Sequence, residues 1–192
     1  MPLKLNLGCG HRKIEGFVSV DKDEKCHPDL VVDLERFPWP WNDNEVEQVL
    51  LYHVLEHLGQ NVEVFLNIMS ELWRVCVDGA IITIIVPHFR NWTFYADPTH
   101  VRAISVETIR LFDQNYNRYC IENNLSDSLL GISLGVDFTV EESSHELNGP
   151  WKSKWLQNTM SLDELNFAIN TYNNVVESTK MVCRVRKNNI TK

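Results

Sequence analysis

Short apolar segments that end in turn-forming or polar residues recur through the first half of the chain. They cover residues 3–7, 17–20, 30–32, 46–52 and 80–86. Runs this short, rich in β-branched and aliphatic residues, predict strands, and the almost unbroken Ala80–Val86 segment predicts one buried on both faces. Ligands of open α/β sheets gather beyond the carboxyl ends of the strands. One crevice is therefore expected to hold the residues that follow these segments, namely Gly8, Gly10, Asp21, Asp33, His53 and His88.

A helical repeat of apolar side chains lies between the fourth and fifth of these segments. It is formed by Val62, Phe65, Leu66, Met69, Trp73 and Cys76. Gly79 stands where a left-handed residue would end the helix, so the region predicts a strand–helix–strand unit. Residues 8–16 and 22–29 are too short for the usual crossover of a dozen residues or more. Reduced helices are expected in these first two crossovers.

The second half of the chain predicts a long loop followed by alternating elements. Aromatic and turn-forming residues fill 89–100, which indicates a functional loop. Ser105 is placed to cap a helix that carries Ile109, Phe112 and Tyr116 on one face. Alternating apolar residues predict strands at 136–141 and 181–185, and the Ser161–Glu164 capping box predicts a helix between them.

Composition narrows the protein class. The 192 residues, 44% of them hydrophobic, are expected to form a single domain over residues 1–192. The net charge of −8 argues against a nucleic-acid partner. The five cysteines contain no C-x-x-C pair, which favours a reducing, cytoplasmic location. No signal-peptide apolar region and no membrane span are expected.

Three features of the first half are typical of a nucleotide site. The LNLGCG segment at 5–10 is a strand that enters a glycine turn, where backbone amides can approach a ligand. Lys13 replaces the third glycine of the dinucleotide fingerprint, which disfavours a nicotinamide cofactor. Asp21 can accept hydrogen bonds from both hydroxyls of a ribose. Asp21 and Asp33 can equally be solvated turn acids, and the FPWPW segment after Asp33 can either wall a flat ligand or pack in the core.

Together these motifs resemble the small class I S-adenosylmethionine-dependent methyltransferases. The resemblance covers roughly residues 3–103 and is carried by LNLGCG, GFVSVD, PDLVVDLERFPWPW, EVEQVLLYHVLEHL, ELWRVCVDGAIITIIVPH and YADPTH, in that order. It implies an α/β, Rossmann-like, doubly wound sheet that is mostly parallel and has an antiparallel C-terminal strand. It also implies S-adenosylmethionine as the cofactor, bound by a core over 3–88, with acceptor-side loops and a helix over 89–160 and a closing helix and strand over 161–187.

The resemblance assigns roles to individual residues. The glycine turn faces the methionine part of the cofactor, Asp21 holds the ribose, Asp33 and Leu34 contact the adenine, and Tyr52 and His53 border the sulfonium. Because a short segment replaces the usual first helix, Arg12 or Lys13 is expected to pair with the methionine carboxylate. The predicted cofactor-binding residues are Leu7, Gly8, Cys9, Gly10, Arg12, Asp21, Lys22, Asp33, Leu34, Tyr52 and His53.

The predicted catalytic residues are His53, His88 and His100, each of which can act as a base, orient an acceptor or serve only as a hydrogen-bonded loop residue. His53, Glu56 and His57 also fit the H-x-x-E-H motif of zinc peptidases, which requires all five residues on one helix. Because His53 directly follows an apolar strand, we favour a reading in which Glu56 and His57 cap and solvate a helix start, and no metal ion is predicted.

The predicted function is methyl transfer from S-adenosylmethionine to an unidentified acceptor, a small molecule or a sugar- or lipid-linked group. Two alternatives from other classes stay open. One is a zinc-dependent hydrolase that uses His53, Glu56 and His57. The other is a domain that binds an adenosyl nucleoside without catalysing a reaction.

Overall fold

A seven-stranded sheet lies at the centre of the protein, whose computed structural model describes residues 3–187. The strands run in the spatial order β3-β2-β1-β4-β5-β7-β6. The first five pair in parallel, whereas β7 is antiparallel to both β5 and β6. This arrangement confirms the predicted mostly parallel sheet with an antiparallel final strand. The strands are β1 (Leu3–Leu7), β2 (Val18–Asp21), β3 (Leu30–Val31), β4 (Val46–Tyr52), β5 (Cys76–Pro87), β6 (Phe138–Leu147) and β7 (Val176–Val185).

The helices are unevenly distributed along the chain. Between β1 and β3 the described residues contain only the 3-10 turn Glu24–Cys26, so the expectation of reduced helices in the first crossovers is confirmed. A second 3-10 turn, Leu55–His57, follows β4. The α-helices are α1 (Val62–Val75), α2 (Trp92–Ala96), α3 (Val106–Arg110), α4 (Gln114–Glu122), α5 (Leu130–Leu134), α6 (Gly149–Leu156) and α7 (Leu162–Thr171). None of the helices between residues 3 and 187 is long and apolar enough to cross a bilayer.

The core lies between the central strands and helix α1. Leu5, Leu51 and Ile84 from three neighbouring strands are almost completely buried, and Ile68 and Leu72 of α1 pack in the same cluster. Burial of this apolar surface stabilises the sheet and fixes the carboxyl ends of β1, β2 and β4 relative to one another.

The two tryptophans of the FPWPW segment pack in this core, whereas Phe37 is exposed. Trp39 and Trp41 are buried and meet edge to face with ring centroids 6.0 Å apart. The Trp39 indole donates to the Leu34 carbonyl at 3.1 Å, and the Trp39 backbone amide donates to Glu71. Since both N–H groups of Trp39 are satisfied inside the protein, this residue anchors the chain after β3 to helix α1.

Two predicted helix boundaries are wrong. Helix α1 ends at Val75 and strand β5 begins at once, so Gly79 does not cap the helix. Gly79 has a φ of +78° and lies where the register between β4 and β5 shifts, a bulge that favours glycine. The single helix expected after Ser105 is two helices, because the Asp113 side chain accepts from the amides of Asn115 and Tyr116 and starts α4 anew.

Candidate functional site

A cavity of about 190 Å³ opens beyond the carboxyl ends of β1, β2, β3 and β4. This position is the switch point of the sheet, where β1 is flanked by β2 on one side and β4 on the other. We call it the strand-end cavity. It is lined by Gly8, Asp21, Lys22, Val32, Asp33, Leu34, His53, Val54, His57 and Leu58.

The glycine turn forms one wall of the strand-end cavity. Gly8 has a φ of +63°, and a Cβ at this position would lie 2.6 Å from the methyl carbons of Val54, so only glycine fits. Gly10 also has a positive φ, but its missing Cβ would meet nothing within 4 Å. The backbone of Gly10 therefore borders open space.

Two carboxylates face the strand-end cavity. Asp21 accepts from the Gly10 amide at 2.8 Å through Oδ2 and from the Asp23 amide at 3.0 Å through Oδ1. Asp33 accepts from the Glu35 amide at 3.1 Å and lies 3.3 Å from the Nε of Arg36. Each carboxylate oxygen can accept more than one hydrogen bond, so both groups keep acceptor capacity for a ligand.

The other predicted cofactor residues lie around this cavity without lining it. Leu7 and Cys9 are buried, so only their backbone can face a ligand. The Arg12 guanidinium stacks 3.8 Å from the centre of the Tyr52 ring. Lys13 instead donates to the Ser19 hydroxyl at 2.8 Å and to a backbone carbonyl in the second crossover. Of the two cations, Arg12 is the one beside Tyr52, whereas Lys13 holds the first crossover in place.

A second, larger cavity of about 670 Å³ shares His53 and His57 with the first. We call it the acidic cavity because carboxylates from several elements line it. They are Glu56, Asp97, Glu146 and Glu177. Its remaining lining residues are Tyr52, Pro87, Thr93, His100 and Ser178. A ligand in the strand-end cavity and one in the acidic cavity would thus meet at His53.

His53 is held in a strained backbone conformation between the two cavities. Its φ is +54°, which is uncommon outside glycine, and its amide donates to Ile85 at 2.8 Å. Its Nδ1 lies 3.2 Å from Oε1 of Glu56, a carboxylate that is only 1% exposed. A carboxylate at Nδ1 favours the tautomer with a proton there, which leaves a lone pair on Nε2. His53 therefore has the geometry of a general base.

The H-x-x-E-H motif does not adopt the geometry of a zinc peptidase. His53 precedes the 3-10 turn Leu55–His57 and has left-handed backbone angles, so the motif does not lie on one helix. The expectation that Glu56 is solvated at a helix start is also wrong, because this residue is only 1% exposed. Val101 and Arg102 donate their amides to the Glu56 carbonyl.

His88 lies apart from the other two predicted catalytic histidines. It borders a different cavity together with His145 and Glu107, contrary to the expectation of one common crevice. The His88 amide donates to the backbone carbonyl of Glu177 at 3.0 Å, and its Nδ1 accepts from the Arg90 amide at 3.2 Å. His88 does not line the acidic cavity. His100 does line the acidic cavity, with His53.

The buried position of His88 predicts a pH-dependent stability. Burial is the main reason that the pKa of His88 is lowered to about 4, and the nearby His145 and Arg90 lower this pKa further. The pKa of His88 in the folded protein lies below the usual 6.5. Its contribution to the free energy of unfolding is therefore fully present above pH 6.5 and is lost as the pH falls toward 4. Between pH 7.5 and 5 we expect His88 to account for a loss of about 1–2 kcal/mol in the free energy of unfolding.

Urea unfolding of the wild type and of His88→Asn at pH 7.5 and 5 measures this contribution. Asparagine keeps an acceptor for the Arg90 amide but does not titrate. We expect the variant to lose less stability than the wild type on acidification. An identical loss in the two proteins would show that His88 is not the titrating group.

Comparison with solved structures identifies the fold of this chain. No protein-family model matches the chain, and no curated protein matches its sequence. A SAM-dependent methyltransferase from Archaeoglobus fulgidus superposes with a TM-score of 0.62 at 19% identity, over 95% of this chain and 86% of that one. A 16S rRNA adenine methyltransferase from Catenulisporales acidiphilia has a TM-score of 0.52 at 10% identity, over 98% and 87% of the two chains. The chain has the class I methyltransferase fold.

The class I methyltransferase fold does not by itself settle the reaction. The [4+2]-cyclase SpnF is also similar to this chain, with a TM-score of 0.53 at 14% identity over 95% of this chain and 74% of that one. Two proteins of one fold can therefore carry different chemistry, and function has to be argued from the site.

Within this class I fold, several lining residues were not predicted from the sequence. Val54 and Leu58 lie in the HVLEHL segment directly after β4, where their apolar character was the available signal. Glu146 and Glu177 reach the acidic cavity from the end of β6 and the start of β7. Their position depends on the antiparallel pairing of these strands, in which Glu146 is opposite Ser178, and no local pattern carries that information.

Proposed function

We propose that this protein transfers a methyl group from S-adenosylmethionine to an acceptor bound in the acidic cavity. One observation carries the proposal: Asp21 and Asp33, from the ends of β2 and β3, line a single cavity with the Gly8 turn at the switch point of a methyltransferase fold. The proposed acceptor is a small molecule or a sugar- or lipid-linked group. A cavity lined by carboxylates disfavours the phosphates of a nucleic acid.

The residues of the strand-end cavity fit the parts of this cofactor. Asp21 would accept hydrogen bonds from the two ribose hydroxyls, and Asp33 would accept from the adenine amino group beside Leu34. Val32, Val54 and Leu58 supply the apolar surface that a flat base needs. The turn from Gly8 to Gly10 leaves backbone and open space for the amino-acid end. Lys22 and Arg12 are the cations available to its carboxylate.

When bound, the cofactor supplies a methyl group on a positively charged sulfur. The protein aligns the acceptor for in-line displacement, an effect that can be worth about 7–11 kcal/mol. We assign His53 as the base that takes a proton from the acceptor at Nε2, which adds a factor of roughly 10²–10⁴ where the acceptor is a hydroxyl. We assign His100 to the acceptor side. His88, which faces another cavity, has a supporting structural role in this proposal.

This assignment divides the chain into parts with different roles. We propose that residues 3–88 hold the cofactor and that 89–160 contribute Thr93, Asp97, His100 and Glu146 to the acceptor side. The rest of the acidic cavity comes from the end of β4 and the segment after it, the end of β5 and the start of β7. The five cysteines are free, which supports a reducing, cytoplasmic location.

The position of Arg12 predicts a selective binding defect. Arg12→Ala is expected to weaken S-adenosylhomocysteine binding about tenfold, the loss of one charged hydrogen-bond partner. Binding of 5′-methylthioadenosine, which lacks the amino-acid part, is expected to change less than twofold. Calorimetric titration of both ligands measures the difference, with Arg118→Ala as a control that removes an exposed cation on α4, outside both cavities. Equal losses for the two ligands would assign Arg12 to the nucleoside and not to the carboxylate.

Two measurements test the proposed function. Calorimetry with S-adenosylhomocysteine and with NAD is expected to show one site for the first ligand and none for the second. Incubation with methyl-labelled S-adenosylmethionine and a small-molecule extract is expected to move label into an acceptor, with Asp21→Ala as the inactive control. Absence of S-adenosylhomocysteine binding would overturn the proposal. Binding without label transfer across extracts would favour the non-catalytic nucleoside-binding alternative.

A further inference from the structure

One carboxylate oxygen of the acidic cavity is buried without a partner. Glu56 is 1% exposed, and its Oε1 lies near Nδ1 of His53. Its Oε2 has no hydrogen-bond partner among residues 3–187. An unpaired buried carboxylate oxygen is costly, and native proteins normally satisfy such an atom with a donor or a cation. Oε2 is therefore placed to bind a cation or to accept a hydrogen bond.

Two histidines bring further donor atoms to the same place. Glu56, His57 and His100 each offer one ligand atom, and these atoms lie within 4.8 Å of one another. The rings of His57 and His100 are in edge contact, with centroids 4.6 Å apart. His100 comes from the segment after α2, more than 40 residues from His57 in sequence, so the grouping is a product of the fold.

The hydrogen bonds of the two histidines set their tautomers. Nδ1 of His100 lies 2.8 Å from the Phe94 carbonyl, which can only accept, so this nitrogen carries the proton. Nδ1 of His57 lies 2.9 Å from the Thr99 hydroxyl, and that hydroxyl donates to Asp97 at 2.6 Å. The hydroxyl is thus an acceptor toward His57. Both histidines keep a lone pair on Nε2, the arrangement found in metal-binding histidines whose other nitrogen is fixed by an outer partner.

We propose that Glu56 Oε2 and the Nε2 atoms of His57 and His100 bind one divalent transition-metal ion, of which zinc is the representative. Two imidazoles and one carboxylate are a common ligand set for such ions. Ligands about 2.1 Å from a tetrahedral ion lie roughly 3.4 Å apart, so the ligand atoms, which lie within 4.8 Å of one another, need to close by at most about 1.4 Å on binding. Asp97 offers a further carboxylate, with Oδ2 3.9 Å from Nε2 of His100.

This metal site extends the proposed function. The role of the metal ion in catalysis rests on that proposed function, whereas metal binding itself does not. With three protein ligands the ion keeps an open position, and it lies beside His53 in the acidic cavity. The acceptor class this favours is a hydroxyl compound whose oxygen binds the ion, which lowers the pKa of the hydroxyl. The acceptor proton then passes to His53, the oxygen forms the bond to the methyl carbon, and the electron pair of the breaking carbon–sulfur bond stays on sulfur.

Metal titration of the untagged, chelator-treated full chain tests the site without any acceptor. Zinc is added in calorimetry, and cobalt(II) is added in a parallel experiment in which visible absorption reports coordination by the protein. The variants are His100→Ala and Glu56→Gln, the second of which keeps the shape of the side chain. His27→Asn is the control, because it removes an exposed histidine outside both cavities. S-adenosylhomocysteine binding by each variant is measured alongside.

We expect one zinc ion per chain in the wild type and in His27→Asn, with at least 100-fold weaker binding in both His100→Ala and Glu56→Gln. Failure of the wild type to bind stoichiometric zinc, or unchanged zinc binding in the two variants, would overturn the metal site. Unchanged S-adenosylhomocysteine binding in variants that have lost zinc shows that they are folded. Zinc binding by a wild type that does not bind S-adenosylhomocysteine would leave the metal site standing and overturn the proposed function.

Discussion

Replacing Asp21 with alanine is expected to weaken S-adenosylhomocysteine binding by at least about 100-fold. The variant lacks the carboxylate and would lose two charged hydrogen bonds to the ribose, each worth about 1.5–3 kcal/mol. The change also removes the acceptor of the Gly10 amide, which lies 2.8 Å from Oδ2, so the glycine turn loses a contact that positions it. One substitution therefore damages both the ribose contact and the backbone beside it. Isothermal titration calorimetry measures the affinity directly.

The control for this experiment is Glu24→Ala. Glu24 is an exposed acid in the 3-10 turn next to Asp21, and its removal changes the net charge by the same amount. We expect its affinity to stay within about twofold of the wild type, because exposed charges contribute little. Asp21→Asn, which can keep the bond from Gly10, is expected to fall between the two. If Asp21→Ala and Glu24→Ala bound the ligand equally well, Asp21 would not hold the ribose.

The parts of the site that could be predicted from the sequence are those encoded locally. A strand that ends in a turn carries its own signal, so the positions of Gly8, Asp21 and Asp33 at the strand ends followed from short segments. Five such ends lie side by side in a parallel sheet, and the structure confirms that sheet. The family resemblance then indicated the identity of the cofactor that these residues are proposed to bind.

The acidic cavity could not be predicted because it is assembled from distant segments. The positions of Glu146 and Glu177 in the cavity depend on the pairing of β6 with β7. His100 lies beside Glu56 and His57 because of the path of the loop after β5. The prediction that Glu56 is solvated failed for the same reason, since Val101 and Arg102, whose amides bond the Glu56 carbonyl, are far away in sequence. Burial, not residue type, distinguishes Glu56 and Asp137 from the other acids of the chain.

Gly59 lies next to the strand-end cavity, and its replacement by alanine is expected to cause the largest loss of stability. Its φ is +68°, and a Cβ there would lie 2.5 Å from Cβ and 2.6 Å from Cα of Phe65, the start of a well-packed helix. Gly59 also donates its amide to Glu35 at 2.8 Å and accepts from Arg102 at 2.7 Å. A shift that relieves the clash would therefore break bonds on both sides of the peptide.

Gly135 provides a matched comparison for this prediction. Its φ of +70° is almost the same, but a Cβ there would meet nothing within 4 Å. Gly135→Ala is expected to cost only the left-handed backbone strain, about 1–2 kcal/mol. Gly59→Ala adds the clash, about 3 kcal/mol more, which is the upper end of the usual cost of overpacking because the contact is with backbone. In thermal unfolding this difference corresponds to a Tm roughly 6–12 °C lower for Gly59→Ala than for Gly135→Ala. Equal melting temperatures for the two variants would mean that helix α1 shifts at no cost to relieve the clash. The strand-end cavity would then not have the rigid wall at Val54 and Leu58 that we infer.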